Sequence, residues 1–309
     1  MQPAVSRRPI LVSGPPRGGT TWVGKTLALD PRIGYLHEPF SVVTRPGLSA
    51  APFPRMFEYV DDANQQRYAP SLARTLRFDY DVRAEVRAVR SARDVARGVR
   101  DAAAMARMRR RRARPLMKDP IAVFSAEWLA REFDMDVVLV VRHPAAVAAS
   151  FKRLGWQHRF ESFLEQPRLV EQHLPMYTDQ IRDFAQTRRT SVEQAALLWA
   201  LVGTMIQGYE ARHPTWVVVR QEDLSLRPVE EFEAVFRRVG LELTPSIRAE
   251  IVSNSSSANP SELARAHDIR LDSAASLGGW QRALSTAEID SVRALAGDVA
   301  QAFGYGGDW

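Results

Sequence analysis

Apolar runs of strand length alternate with stretches of helical periodicity along the chain. Pro9 to Gly14 reads as a first strand, followed by a Gly-rich turn and a helix through Thr21 to Leu29. A short apolar run, Ile33 to Leu36, leads into a Pro-punctuated region ending near Pro54. Pro115 to Lys118 predicts a strand, and Ile121 to Phe133 a helix. Asp136 to Val141 is the clearest strand, because its five residues after the Asp are all Val or Leu, as in strands buried on both faces of a parallel sheet. Pro144 to Leu154 follows as a helix with Pro in its first turn. A long apolar helix is predicted over Val192 to Tyr209, and a strand over Trp216 to Val219. Helices at Pro228 to Val239 and Thr286 to Phe303 close the pattern, the last with capping residues at Ser285 and Glu288.

Strands separated by helices imply an α/β protein: a three-layer α/β/α arrangement around a mainly parallel five-stranded sheet. Ligands of such sheets bind at the carboxyl ends of the strands. A single domain over residues 1–309 is expected, with 43–114 as a basic, largely helical insertion. Within it, Val82, Val86, Val89, Val99 and Met105 recur at helical spacing, with Arg on the remaining faces. The pattern predicts an amphipathic helix whose charged face meets water, or else an electrostatic guide for an anionic ligand. The Ser-rich stretch Asn254 to Asn259 is the expected mobile loop.

Composition narrows the chemistry. The chain has no cysteine, so thiolate metal sites, disulfides and a cysteine nucleophile are excluded. No apolar stretch approaches the roughly 18–20 residues that span a bilayer, and a soluble cytoplasmic protein is expected. The net charge of +6 is uneven: residues 74–114 hold fourteen Arg against five acids, a local +9, which leaves −3 for the rest. So concentrated a charge argues against nucleic acid as a partner, and for electrostatic contact of 74–114 with an anionic ligand.

Two phosphate-binding frames overlap after the first strand. Gly19 to Thr26 matches the triphosphatase pattern GxxxxGK[ST], with Gly24, Lys25 and Thr26 at its end. That frame starts five residues beyond Gly14 and would place Trp22 and Val23 in a loop whose backbone must approach phosphate. The strand 136–141 ends in Arg142, where that enzyme class needs a magnesium-holding Asp. The other frame begins at Gly14. Gly18 and Gly19 let the backbone approach an anion, Thr20 and Thr21 open a helix with its positive dipole end, and Arg17 adds a permanent cation.

Here the sequence resembles a known family. PPRGGTTWV resembles the 5′-phosphosulfate loop of sulfotransferases, and DVVLVVRHPAAVAASFKRLGW, 136–156, resembles their second signature, with Arg142 and Ser150 eight residues apart. IGYLHEPFS, Lys118–Asp119–Pro120 and Arg220–Gln221–Glu222–Asp223–Leu224 are similar to three further segments. The pattern is nearest to the carbohydrate (Golgi-type) and bacterial members. The resemblance implies 3′-phosphoadenosine-5′-phosphosulfate as donor, no metal, and a small-molecule or glycoconjugate acceptor, with the Glu-Pro motif favouring a sugar.

It also implies roles. Arg17 and the N–H groups of Gly18, Gly19, Thr20 and Thr21 would hold the phosphosulfate, Arg142 and Ser150 the 3′-phosphate, and Trp22 would stack on adenine. Cytosolic members place a His base where this chain has Pro120, so Glu38 is the expected base, as in the carbohydrate branch. His37 is the alternative, and a structural ion pair of Glu38 the plainer reading. Lys118, one of three lysines, is expected at the bridge oxygen. The late R-K-G loop of the family is absent; Arg270 or Ser273 could replace it. Gln221 stands where some members have a tyrosine on adenine. Two other functions remain open: an ATP-dependent kinase using Gly24–Lys25–Thr26, and a non-enzymatic polyanion-binding protein.

Overall fold

A computed structural model describes residues 8–260, 272–307 and 309. It contains one all-parallel sheet of five strands, β1 (Ile10–Ser13), β2 (Ile33–His37), β3 (Arg114–Lys118), β4 (Asp136–Val141) and β5 (Val217–Arg220), in the order β2-β3-β1-β4-β5. Helices flank the sheet, giving the α/β/α layering that the alternating pattern predicts. The chain divides into two compact units. One holds residues 8–13 with 24–137, and the other 14–23 with the described residues from 138 onward.

In the first unit all four residues of β1 are buried, and β3 pairs with both β1 and β2. The β2–β3 register sets His37 opposite Lys118, so Glu38 leaves the strand at the level of that lysine. The second half of α1 (Thr20–Leu27), with α2 (Ala69–Leu76), α3 (Val82–Ala88), α4 (Ala92–Arg110) and α5 (Ala126–Phe133), completes this unit. Pro120–Ser125 is a 3₁₀ turn rather than α-helix. Pro120 follows Asp119, whose side chain accepts from the Ile121 N–H and so caps the turn. The 82–106 periodicity forms two helices whose apolar positions divide: Val82, Val86 and Val99 face water, whereas Met105 is buried together with Glu85 and Gly98.

The second unit contains β4, whose residues Val137 to Val141 are fully buried. Burying a Val or Leu side chain contributes about 1.5–3 kcal/mol, which makes this strand a core element. Its helices are α6 (Pro144–Leu154), α7 (Glu161–Leu164), α8 (Pro167–His173), α9 (Thr178–Gln186), α10 (Ser191–Arg212), α11 (Gln221–Leu226), α12 (Pro228–Arg238), α13 (Pro245–Ser255), α14 (Gly279–Ala283) and α15 (Thr286–Ala302). The long apolar α10 packs on α6 and α15. Capping boxes at Thr190–Glu193 and Ser285–Glu288 start α10 and α15, each cap contributing about 1 kcal/mol. The expected loop at 254–259 is shorter than its composition suggests, since α13 runs through Ser255 and Asn254 is buried. Among the described residues no helix is long and apolar enough to cross a membrane.

Candidate active site

The loop after β1 is built by backbone geometry that a side chain would spoil. Gly14 has φ +147°, and a Cβ there would stand 2.1 Å from the Val140 carbonyl oxygen. Gly19 has φ +98° and its carbonyl accepts from the Trp22 and Val23 N–H groups, so it opens α1. The first N–H groups of a helix have no partner within it, and here they belong to Gly19, Thr20 and Thr21, whereas the Gly18 N–H donates to the Pro15 carbonyl at 2.9 Å. Residues 20–27 are helical, so the four middle positions of the triphosphatase pattern form a helix and not a phosphate loop. Gly24 has a different reason to be glycine: a Cβ there would lie 3.0–3.2 Å from Lys118 and Tyr35. Lys25 lies on the same helix and stands close enough to Lys118 to disfavour its charge.

Three of the expected anion-binding residues meet in the second unit. Arg17 Nε donates to Ser150 Oγ at 2.9 Å, and Arg142 Nη1 donates to the Arg17 carbonyl at 3.2 Å. The resemblance divides Arg17 from Arg142 and Ser150 between two phosphates; in the structure the three form one cluster. The Arg17 guanidinium also sits 5.7 Å from the centre of the Trp156 ring. Trp156 closes the 136–156 motif, yet nothing in its spacing told of this contact. Arg142 is held by β4 and by Trp199 Nε1, which donates to its carbonyl at 2.8 Å. Its Nε is buried without a hydrogen-bond partner among the described residues. Burial lowers its pKa, with Glu222 acting in the opposite sense.

Behind Arg142 lies a network that the sequence did not announce. Glu222 accepts from the His143 N–H at 2.9 Å and from the Tyr305 hydroxyl. The His143 ring stacks on Trp280, and Arg220 lies over the Tyr305 ring. Trp22 is half-buried and meets Phe232 edge-on, ring centres 5.2 Å apart. Gln221 is buried, donates to Ser225 Oγ at 2.8 Å, and lies against Gly19. Ser273 is buried too, and its hydroxyl donates to the Ser225 carbonyl. Arg270 lies outside the described residues.

Glu38 and Lys118 meet in the first unit. Lys118 is fully buried and its ammonium donates to Glu38 Oε1. The Glu38 side chain keeps 26% of its surface exposed. Burial lowers the Lys118 pKa, and the Glu38 carboxylate opposes that shift. His37 Nε2 stands 3.9 Å from the same carboxylate oxygen. Glu38 has φ +48°, in the left-handed region. The backbone around it is tied on both sides: its N–H donates to the Lys118 carbonyl at 2.9 Å, and the next turn is pinned where Asp119 accepts from the Phe40 N–H at 2.7 Å. Asp119 was visible only as part of a motif. It is wholly buried, which pushes its pKa up to about 7 against the pull of the Phe40 N–H. Tyr35, whose buried hydroxyl has no hydrogen-bond partner among the described residues, has its pKa raised by burial and then by Glu38.

A glycine-cradled helix start, a paired arginine–serine site and a buried ammonium against a carboxylate suit the handling of an anionic transferable group. The family model described as "Sulfotransferase family" matches residues 9–245, and the chain belongs to the sulfotransferase family of transferase enzymes. Solved structures similar to it include a sulfotransferase domain from the Synechococcus PCC 7002 olefin synthase, at 17% identity over 99% of this chain and 98% of that one, with a TM-score of 0.47. Mouse sulfotransferase SULT7A1 complexed with PAP matches at 11% identity over 94% of this chain and 83% of that one, TM-score 0.44. A sulfotransferase from Mycobacterium tuberculosis H37Rv matches at 18% identity over 82% and 73% respectively, TM-score 0.40. No curated protein matches the sequence.

Proposed function

We propose that this sulfotransferase takes its sulfuryl group from 3′-phosphoadenosine-5′-phosphosulfate and passes it to a hydroxyl of a sugar or glycoconjugate. The observation that carries the donor assignment is the meeting of Arg17, Arg142 and Ser150. Two guanidiniums and a hydroxyl, from the loop before α1, the residue after β4 and the middle of α6, suit the oxygens of phosphate groups. In this reading Arg142 and Ser150 bind the 3′-phosphate, and Arg17 with the N–H groups of 19–21 binds the phosphosulfate. Trp22 offers a ring to the adenine.

The chemistry is an in-line displacement at sulfur. The acceptor oxygen forms a bond to sulfur as the bond from sulfur to the bridging phosphate oxygen breaks. Glu38 takes the hydroxyl proton, and Lys118 stabilises the charge growing on the bridging oxygen. The Lys118 ammonium engages one Glu38 oxygen. Drawing Lys118 toward the anionic donor would free that oxygen to meet the acceptor hydroxyl. His37 is the second candidate for the proton. In the same reading 1–309 acts as one catalytic domain in the cytoplasm, and 43–114 shapes the acceptor site. The kinase alternative loses its main support with the helical Gly24, which packs against Lys118.

The test is turnover of labelled donor against a panel of acceptor hydroxyls. Transfer without added metal, and none from ATP, is the expected result. Magnesium-dependent transfer from ATP would refute the proposal.

A further inference from the structure

The hairpin of α3 and α4 carries an outward surface on which none of the residues assigned to donor binding or proton transfer lies. The two helices are joined by only residues 89–91 and pack against each other. Apart from Met105, the residues they turn inward are polar or small. Glu85 is buried and ion-paired with Arg45, and also accepts from the Gly47 N–H at 3.1 Å. Gly98 meets Glu85 directly, since a Cβ on Gly98 would lie 3.3 Å from Glu85 Cγ. Arg45 reaches across to the Asp94 carbonyl at 2.9 Å and to Asp101 at 3.6 Å.

The residues turned outward are apolar. Val82 and Val86 are 59% and 66% exposed, and Val95 and Val99 51% and 66%. Each pair is spaced i, i+4 and so forms one stripe on its helix. With roughly 100° per residue, Val86 and Val99 each lie one step beyond the meeting pair Glu85 and Gly98. In a hairpin whose helices run in opposite directions, that step carries both valines to the same side. Exposed Ala92, Ala96, Ala103 and Ala106 continue the stripe on α4. Around it stand exposed Arg83, Arg87, Arg90, Arg93, Arg97 and Arg100. Residues 82–110 contain nine arginines against three acids, a net charge of +6. Glu85 is committed to Arg45, and Asp94 to the start of α4.

We infer that this face docks on an anionic lipid surface. A polyanion in solution would engage the arginines and leave the valines in water. A second copy of the chain would bring one basic rim against another. A lipid surface meets both halves of the pattern, headgroup charge for the arginines and an apolar layer for the valines. The inference does not depend on the donor or the acceptor.

The test is vesicle flotation of the full chain. Binding is expected to phosphatidylcholine vesicles that contain phosphatidylserine, and not to phosphatidylcholine alone, with steep loss on adding salt. V86Q/V99Q keeps the charge and places a better helix former at exposed positions, so the fold should persist. It should weaken vesicle binding by about tenfold. Each of Arg87→Gln and Arg97→Gln should weaken it by about fivefold. Unchanged vesicle binding by V86Q/V99Q, with heparin bound equally by both proteins, would show a polyanion site and overturn the inference. So would absence of binding to anionic vesicles, or light scattering that shows a dimer abolished by V86Q/V99Q.

Discussion

Replacing Arg142 by methionine should separate donor binding from stability. Among the described residues the guanidinium makes one long hydrogen bond, to the Arg17 carbonyl at 3.2 Å, while its Nε is buried without a partner. A buried unsatisfied donor costs about 1–3 kcal/mol, and desolvation of the cation adds to this, which is why its pKa is lowered. Methionine is of similar length and has no donor to satisfy. The unfolding free energy of Arg142→Met should therefore equal or exceed that of the parent. Binding should move the other way. A charge-assisted contact to phosphate contributes about 1.5–3 kcal/mol, or roughly 10- to 150-fold in Kd. Titration calorimetry would compare adenosine 3′,5′-bisphosphate with 5′-AMP. The parent should prefer the bisphosphate, and Arg142→Met should lose that preference while its affinity for 5′-AMP holds. A fall in stability of several kcal/mol, or an equal loss for both nucleotides, would refute the reasoning and make Arg142 a structural residue.

Other substitutions address the remaining assignments. Arg17→Ala should reduce donor affinity at least tenfold in the same calorimetry, whereas Lys25→Ala, on the helix beyond the loop, should leave it within about threefold; the reverse order would restore the triphosphatase frame. Glu38→Gln should lower kcat by about 10²–10⁴-fold with donor Kd unchanged, and His37→Ala should retain most turnover; a rise confined to KM would mean that Glu38 only positions the acceptor. Burial lowers the His158 pKa to about 4, so the folded chain stays neutral there while the unfolded chain takes up a proton near its usual value of 6.5. Stability should thus fall as pH drops from 6.5 to 4, by up to about 3 kcal/mol, and denaturant melts of His158→Phe should show a flatter slope across that window.

The strands and most helices near the site could be read from periodicity because their burial is one-sided or complete. Asp136 to Val141 and Pro144 to Leu154 are found with the boundaries that the pattern suggests. Residue spacing alone could not show that Arg17 bonds Ser150, since the two are 133 positions apart. Periodicity located the valines of α3 and α4 but not their direction. A repeat of four fixes which residues share a face, and the fate of that face depends on a partner elsewhere. Here Arg45, forty positions before Glu85, draws the polar side inward. Asp119 and Glu222 were hidden for a similar reason: each orders backbone far away in sequence, at Phe40 and at His143.

Arg17 and Glu38 share one backbone property, a positive φ of 66° and 48°. An ordinary side chain in that conformation costs about 1–2 kcal/mol, which glycine largely avoids. The residues assigned to donor binding and proton removal therefore stand at positions where the chain alone would favour glycine. Random mutagenesis of this protein screened only for heat resistance should recover Arg17→Gly among its survivors, folded and impaired in donor binding, but not Glu38→Gly, which would strand the buried Lys118 ammonium at a cost of about 3–5 kcal/mol. Drift without selection for turnover should therefore wear away the strained arginine while the strained glutamate stays, held by its buried partner.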